Sequence, residues 1–226
     1  MIARVLEPEA MDSADEAREY DLMDHVSVNA AFVADLLALA ARVGRSLSRT
    51  DVVLDVGTGT ARIPITLCGA DASCKVVGVD LAHAMLVVGE KNVAAASLTS
   101  RIALLRARAG ALPCRDSSVP VVVSNSLIHH LPDPAASLNE ACRVAASGGI
   151  VFIRDLFRPA SVQELDRLVS VHAATATAAQ RQLFADSLHA ALTVDEVREI
   201  VATLPFSTAS VEATSDRHWT LVATRR

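Results

Sequence analysis

Short apolar runs alternate along the first two thirds of this chain with segments whose apolar residues recur at helical spacing. The apolar runs predict strands at 52–56, 75–80, 102–105, 119–124 and 150–155. The other segments predict helices at 28–43, 61–67, 82–96 and 134–146. Because strand and helix alternate, we expect a parallel sheet with helices on both faces.

The pattern changes after the fifth predicted strand. Residues 159–192 are helical in character, and Thr193-x-x-Glu196 is a capping box that begins another helix. Two short strands, 211–214 and 219–224, end the chain and predict an antiparallel hairpin. Before the first strand, residues 1–27 are polar, with a short helix expected near 14–20.

Composition excludes several classes of partner. The chain has 226 residues, enough for one domain with a sizeable core. Its net charge of −5 does not provide the basic surface that nucleic acid requires, so we expect no nucleic-acid partner. No apolar run approaches the roughly 20 residues that span a bilayer, and no signal peptide is evident. We therefore expect no membrane partner. The four cysteines lack CxxC spacing, which favours a reduced cytoplasmic protein.

A glycine loop after the first strand is the most informative stretch. Leu54–Ala61 reads LDVGTGTA, and the second strand ends at Asp80. Glycines let the backbone approach a ligand, and a carboxylate there can accept hydrogen bonds from ribose hydroxyls. A dinucleotide site needs a third glycine where this chain has Arg62, so an NAD-dependent oxidoreductase is the weaker interpretation.

The loop resembles motif I of the class I S-adenosylmethionine-dependent methyltransferases, [DE]-x-G-x-G-x-[GA]. The matching residues here are Asp55, Gly57, Gly59 and Ala61. Further segments resemble later motifs of that family in the same order: 107–113, 121–133, and Arg143-Val144 with Gly148-Gly149. The resemblance is strong over residues 50–156 and weak over the C-terminal hairpin.

This resemblance implies a seven-stranded, Rossmann-like α/β sheet, mostly parallel with an antiparallel last strand, that binds S-adenosyl-L-methionine. The donor-binding residues that it implies are Asp55, Gly57, Thr58, Gly59, Asp80, Leu81, Ala109 and Asn125. Asp55 and the Gly57 backbone would hold the methionine amino group, and Asp80 the ribose. Arg108 stands where the family usually has an acid that contacts adenine, so we expect that contact from the backbone near Ala109.

The implied reaction is in-line displacement at a sulfonium methyl group, for which the protein aligns two substrates and excludes water. A hydroxyl or amine acceptor needs a base, and His129 and His130 follow the fourth strand at the ligand-binding edge. Adjacent residues point in different directions, so at most one of them should face the site. The alternative is that both pack within the loop. No metal-ligand spacing is recognisable, and we expect no metal.

The antiparallel last strand should start at the same edge of the sheet. The acceptor-binding residues that we expect there, and on the N-terminal segment, are Tyr20, Arg154, Arg181, Arg217, His218 and Trp219. The arginines would suit an anionic acceptor. The alternative is a solvated turn with Trp219 in the core and Tyr20 as an ordinary packing residue.

We therefore expect a single domain over residues 1–226. Its parts are an N-terminal helical lid (1–45), a donor-binding core (46–156), a helical insertion (157–205) and a C-terminal hairpin (206–226). The predicted function is methyl transfer to a small acceptor, whose identity stays open together with the oligomeric state. A non-catalytic adenosylmethionine sensor or partner subunit is the alternative.

Overall fold

A computed structural model of the protein describes residues 2–7, 12–45 and 52–226. The strands in these residues are β1 (Val52–Val56), β2 (Lys75–Asp80), β3 (Ile102–Arg106), β4 (Val119–Asn125), β5 (Ala145–Leu156), β6 (Phe206–Ala213) and β7 (His218–Arg225). The helices are α1 (Ala14–Asp21), α2 (Val26–Arg42), α3 (Arg62–Ala70), α4 (His83–Ala95), α5 (Pro134–Val144), α6 (Val162–His172), α7 (Ala178–Ala190) and α8 (Val194–Ala202), with a 3-10 helix at Ile128–His130. The expected junction between lid and core adjoins residues 46–51, which lie outside the described residues.

All seven strands form one sheet in the order β3-β2-β1-β4-β5-β7-β6. Strands β1 to β5 pair in parallel, whereas β7 is antiparallel to both of its neighbours. The predicted fold class is thereby confirmed. The chain order changes direction between β1 and β4, so a crevice opens beyond the carboxyl ends of these strands, where ligands bind in such sheets.

Both faces of the central strands are buried, because helices cover the sheet on each side. On one face Val53, Val121 and Phe152 pack with residues of α2 and α3. On the other face Leu54 and Val122 pack with residues of α5 and α8. Strands buried on two faces need continuous apolar sequence, which is why β1, β4 and β5 were recognisable.

Two strand boundaries differ from the prediction by more than one residue. β6 begins at Phe206 rather than at 211, because it is an edge strand with polar, exposed residues that pair with β7 without an apolar pattern. β5 extends back to Ala145, through the glycines that were expected to form a preceding turn. Gly148 has φ +65°, and the register shifts between Val119 and Val121 opposite it.

Helices α1, α5, α6, α7 and α8 each begin after a residue whose side chain accepts a capping hydrogen bond. Thr193 accepts a hydrogen bond from the Glu196 amide and begins α8, as the capping box predicts. Among the described residues no single helix is long and apolar enough to cross a membrane. Helices α1 and α2 meet that criterion only as a pair bent by 76°.

Gly78 on β2 allows the glycine loop between β1 and α3 to lie close to the sheet. A Cβ atom at this position would lie 2.5 Å from Thr58 Oγ1 and 2.9 Å from Leu104 Cδ2. We expect Gly78→Ala to lower the free energy of unfolding by about 1–3 kcal/mol, because neighbouring atoms must move. Urea denaturation followed by circular dichroism measures this change. Gly69→Ala in α3 is the control, since no atom lies within 4 Å of its added Cβ, and equal stability of the two variants would contradict the prediction.

Candidate functional site

The donor loop connects β1 to α3 through left-handed backbone. Gly57 has φ +76° and Gly59 has φ +53°, and both are conformations that glycine adopts without strain. The amides of Gly57 and Thr58 donate to the Val79 carbonyl at 2.8 and 2.9 Å, so the loop is bonded to the neighbouring strand. Leu127 covers Gly57 closely, since a Cβ on that glycine would lie 2.8 Å from the leucine side chain.

Asp80 holds the donor loop from the end of β2. One carboxylate oxygen accepts from the Gly59 amide at 2.8 Å, and the other accepts from the Ala82 amide at 2.9 Å. Burial raises the pKa of this carboxyl above its ordinary value. A carboxylate has about four lone-pair sites, so two bonds leave capacity for ribose hydroxyls.

Several buried polar atoms near the loop have no hydrogen-bond partner among the described residues. They include Asp55 Oδ2 and Asn125 Oδ1. Burial raises the pKa of Asp55 to about 7. An unpaired buried polar group costs about 1–3 kcal/mol, so this cluster at the ends of β1 and β4 is suited to a ligand with hydrogen-bond donors. The amino group of a methionine moiety has that chemistry.

A pocket opens beside these atoms. It is lined by Val56, Gly57, Val79, Asp80, Leu81, Ala107, Ala109, Leu127 and Leu131. Four of the predicted donor-binding residues therefore contribute to one pocket, and its mainly apolar walls suit a purine ring. Leu127 and Leu131 were not predicted individually; their signal was the loop that follows the fourth strand.

His129 and Asp155 form a buried pair at the carboxyl ends of β4 and β5. His129 Nδ1 lies 2.5 Å from Asp155 Oδ1, and the His129 amide donates to the other carboxylate oxygen at 3.2 Å. Burial alone would lower the pKa of His129, but the charge of Asp155 and its hydrogen bond raise it above the ordinary value. Burial opposes ionisation of Asp155, and His129 nevertheless holds the pKa of that carboxyl below its ordinary range.

Residues 2–7, here called the N-terminal strap, lie against the same cluster. The Arg4 guanidinium donates to the carbonyls of Ala190 at 2.6 Å and Leu131 at 3.1 Å. Glu7 Oε2 lies 3.0 Å from His130 Nδ1, and only 9% of the Glu7 side chain is exposed. Burial and the His129 charge lower the pKa of His130. Glu7 was not predicted as a site residue, because only its position in the fold brings it here.

The two histidine rings are neighbours, with centroids 4.0 Å apart. Among the described residues, Glu7, His129 and His130 are the group with ligand atoms close enough, within 4.8 Å, to hold a metal ion. The expectation of a metal-free site stays a prediction.

The predicted acceptor arginines each bond a different partner. Arg154 bonds Asp35 at 2.6 Å and Thr220 at 2.9 Å. Arg217 Nη1 lies 2.8 Å from His172 Nδ1, and Arg181 donates to the Ala176 carbonyl at 2.6 Å. The arginines predicted to form one cationic pocket are thus held separately by contacts within the chain.

The start of β7 meets the end of β5, as the antiparallel topology predicts. Trp219 is opposite Asp155 in the strand register and is fully buried in the core. Its Nε1 has no hydrogen-bond partner among the described residues. His218 is buried beside Ser215, with Nδ1 and Oγ 2.9 Å apart, and burial together with the Arg217 charge lowers its pKa to about 4. Acceptor-binding roles for both residues stay predictions.

Tyr20 on α1 lies over the donor loop. Its Cε1 would be 3.8 Å from a Cβ on Gly59. Burial, followed by the charges of Asp80 and Asp55, raises the pKa of Tyr20 to about 12. The Tyr20 hydroxyl therefore stays neutral beside the donor loop.

Comparison with known proteins agrees with this geometry. A family described as "Methyltransferase domain" matches residues 54–153. A demethylmenaquinone methyltransferase from Porphyromonas gingivalis is 34% identical over 110 residues, 48% of this chain and 45% of that protein. A malonyl-[acyl-carrier protein] O-methyltransferase from Geobacter sulfurreducens is 32% identical over 159 residues, 70% of this chain and 57% of that protein. The chain thus spans about half the length of these curated relatives.

Solved structures share the fold over almost the whole chain. A SAM-dependent methyltransferase from Aquifex aeolicus superimposes with a TM-score of 0.67 at 17% identity, covering 95% of this chain and 99% of the other. The order of the strands, the sequence of the donor loop and the match to the domain family all agree with one another. Residues 54–153 match the methyltransferase domain family, and the chain has the fold of the class I S-adenosylmethionine-dependent methyltransferases.

Proposed function

We propose that this protein transfers the methyl group of S-adenosylmethionine to a small acceptor that loses a proton to His129. The observation that supports this proposal is the buried pair of His129 and Asp155 beside the donor pocket. Leu127 and Leu131 line that pocket and flank the 3-10 helix that carries His129. The loop after β4 therefore contributes both walls of the donor pocket and the proposed base.

The donor site has groups for each end of the cofactor. Asp55 and Asn125 would accept hydrogen bonds from the methionine amino group, and Asp80 would bind the ribose. The apolar pocket walls at Leu81 and Ala109 would cover adenine. The bound donor supplies an electrophilic methyl group with a neutral thioether as leaving group, so the protein needs no acid there. Its tasks are alignment and exclusion of water.

Asp155 would act as a positioning residue for the base. A carboxylate at Nδ1 fixes the imidazole tautomer that carries its proton there and leaves Nε2 to accept the acceptor's proton. The same carboxylate stabilises the imidazolium that forms. Because both groups are buried, this charge interaction is only weakly screened by solvent.

A hydroxyl-bearing acceptor fits this chemistry better than a carboxylate. Loss of a hydroxyl proton makes oxygen more nucleophilic and, in an aromatic or enolic acceptor, also activates a ring carbon. The name of one relative gives demethylmenaquinone, a ring compound, as the acceptor. The name of the other gives a malonyl-[acyl-carrier protein], whose free oxygen nucleophile is a carboxylate that is already ionised and needs no base. A carboxylate acceptor would need a cation, and Arg154 and Arg217 already bond partners within the chain. The anionic-acceptor hypothesis therefore requires one of these contacts to open.

Binding of S-adenosylhomocysteine should depend on the protonation of Asp55. Its pKa is about 7 in the free protein, and a bound ammonium group would lower it. We expect affinity to weaken as pH falls below about 7 and binding to release a proton there. Calorimetry in buffers of different ionisation enthalpy measures both effects. Asp55→Asn should remove the pH dependence, and an unchanged pH profile in this variant would contradict the assignment.

His129→Gln should lower kcat by about 10²–10⁴-fold and leave the affinity for S-adenosylhomocysteine unchanged, because only the base is lost. Release of S-adenosylhomocysteine with hydroxylated aromatic acceptors provides the assay. His83→Gln is the control, since that side chain is exposed at the start of α4. A protein that binds donor but releases no product with any acceptor would instead support the sensor alternative.

Asp155→Asn should change the pH profile in a defined direction. The base is active when neutral, and Asp155 raises the pKa of His129 above 6.5, so wild-type kcat/KM should rise with pH through a midpoint above that value. Without the carboxylate the midpoint should move to lower pH and the maximal rate should fall. Asp166→Asn, at an exposed position of α6, should change neither quantity. An unshifted midpoint in Asp155→Asn would exclude Asp155 as the positioning residue.

A further inference from the structure

Helix α1 is bonded to the helix that follows the donor loop. Arg62 Nε and Nη2 donate to the two carboxylate oxygens of Asp21 at 2.9 and 2.8 Å. Asn92 on α4 donates to the same carboxylate at 2.9 Å and to the Thr60 carbonyl at 3.0 Å. A bidentate arginine–carboxylate pair defines both distance and orientation. Asp21 therefore connects α1 to the loop's own helix and backbone.

The Arg62 position is the one that distinguishes this loop from a dinucleotide-binding loop. Arg62 is the first residue of α3, directly after Ala61, which has the left-handed φ of +64°. A glycine at this position would have no positively charged side chain to pair with Asp21 on α1. The side chain of Arg62 is 46% exposed and that of Asp21 only 15%, so the pair lies at the border between lid and solvent.

Tyr20 precedes Asp21 and is directed toward the donor site. Its ring lies over Gly59, with Cε1 3.8 Å from the position that a Cβ on that glycine would occupy. In the same helix Ala17 packs with Ala82. The geometry thus places one aromatic side chain over the loop that binds the methionine end of the donor.

We propose that Asp21 and Arg62 are positioning residues that hold Tyr20 over the bound donor and slow its dissociation. The inference rests on the donor site proposed above. Arg62 would hold in place the helix α1, which covers the donor loop, through its bond to Asp21. Asn92 donates a second hydrogen bond to the same carboxylate.

The test uses S-adenosylhomocysteine, with Kd from calorimetry and the dissociation rate from stopped-flow fluorescence. Arg62→Met and Asp21→Asn should each raise Kd about fivefold, the change expected when an ion pair is lost, mainly through faster dissociation. The control is the double variant Asp15→Asn/Arg18→Met, which removes a pair on the exposed surface of the same helix and should leave Kd unchanged. Equal Kd values for Arg62→Met, Asp21→Asn and wild type would overturn the proposal.

A second comparison separates positioning from a purely structural role. If Arg62 acts through Tyr20, Arg62→Met should have no further effect on Kd in a Tyr20→Ala background. A full fivefold effect in that background would overturn the proposal. Asp21→Asn preserves side-chain shape and replaces Arg62→Met in this cycle if the latter does not fold. A wild-type protein that binds no S-adenosylhomocysteine would overturn the proposed function instead.

Discussion

The two hydrogen bonds from backbone amides to Asp80 are the interaction on which the donor site depends. The Gly59 amide joins the end of β2 to the glycine loop after β1, and thereby holds the loop at the crevice between β1 and β4. The Ala82 amide, two residues after Asp80, fixes the orientation of the same carboxylate. Loop amides that donate to Val79 strengthen the same connection. The left-handed glycines make this path sterically possible, and the absent side chain at Gly78 leaves room beneath it. The position of this loop determines where the pocket walls and the unpaired polar atoms lie.

The residues before the sheet complete the site from outside. The strap contacts the histidine loop through Arg4 and Glu7, and α1 contacts the donor loop through Tyr20 and Asp21. Residues 2–7 therefore contact the histidine loop, and α1 contacts the donor loop.

Electrostatics divide the site into two regions. Around the donor loop, buried oxygen atoms lack partners, which is unfavourable without a ligand and favourable once an ammonium group is bound. Around the histidines, Asp155 and Glu7 each pair with one imidazole, so charge is balanced within the protein. The first region is suited to holding a charged donor and the second to accepting a proton.

The sequence by itself determined the fold class, the donor loop and the cofactor. These depend on local signals. Buried strands need apolar runs, and a left-handed turn favours glycine. The motifs that resemble the family can be recognised because each is a short segment and they occur in a fixed order. It also named His129, Asp80 and Asp55, which lie next to strand ends.

Only the tertiary structure decided how distant side chains pair. Arg154 bonds Asp35 on α2, and Glu7 lies against His130 although the two residues are far apart in the sequence. Such pairs join residues more than a hundred positions apart, and sequence spacing carries no information about them. The acceptor-binding role of Arg154 stays a prediction. Arg62 indicated only which cofactor to disfavour; its ion pair with Asp21 exists because the fold lays α1 across the donor loop.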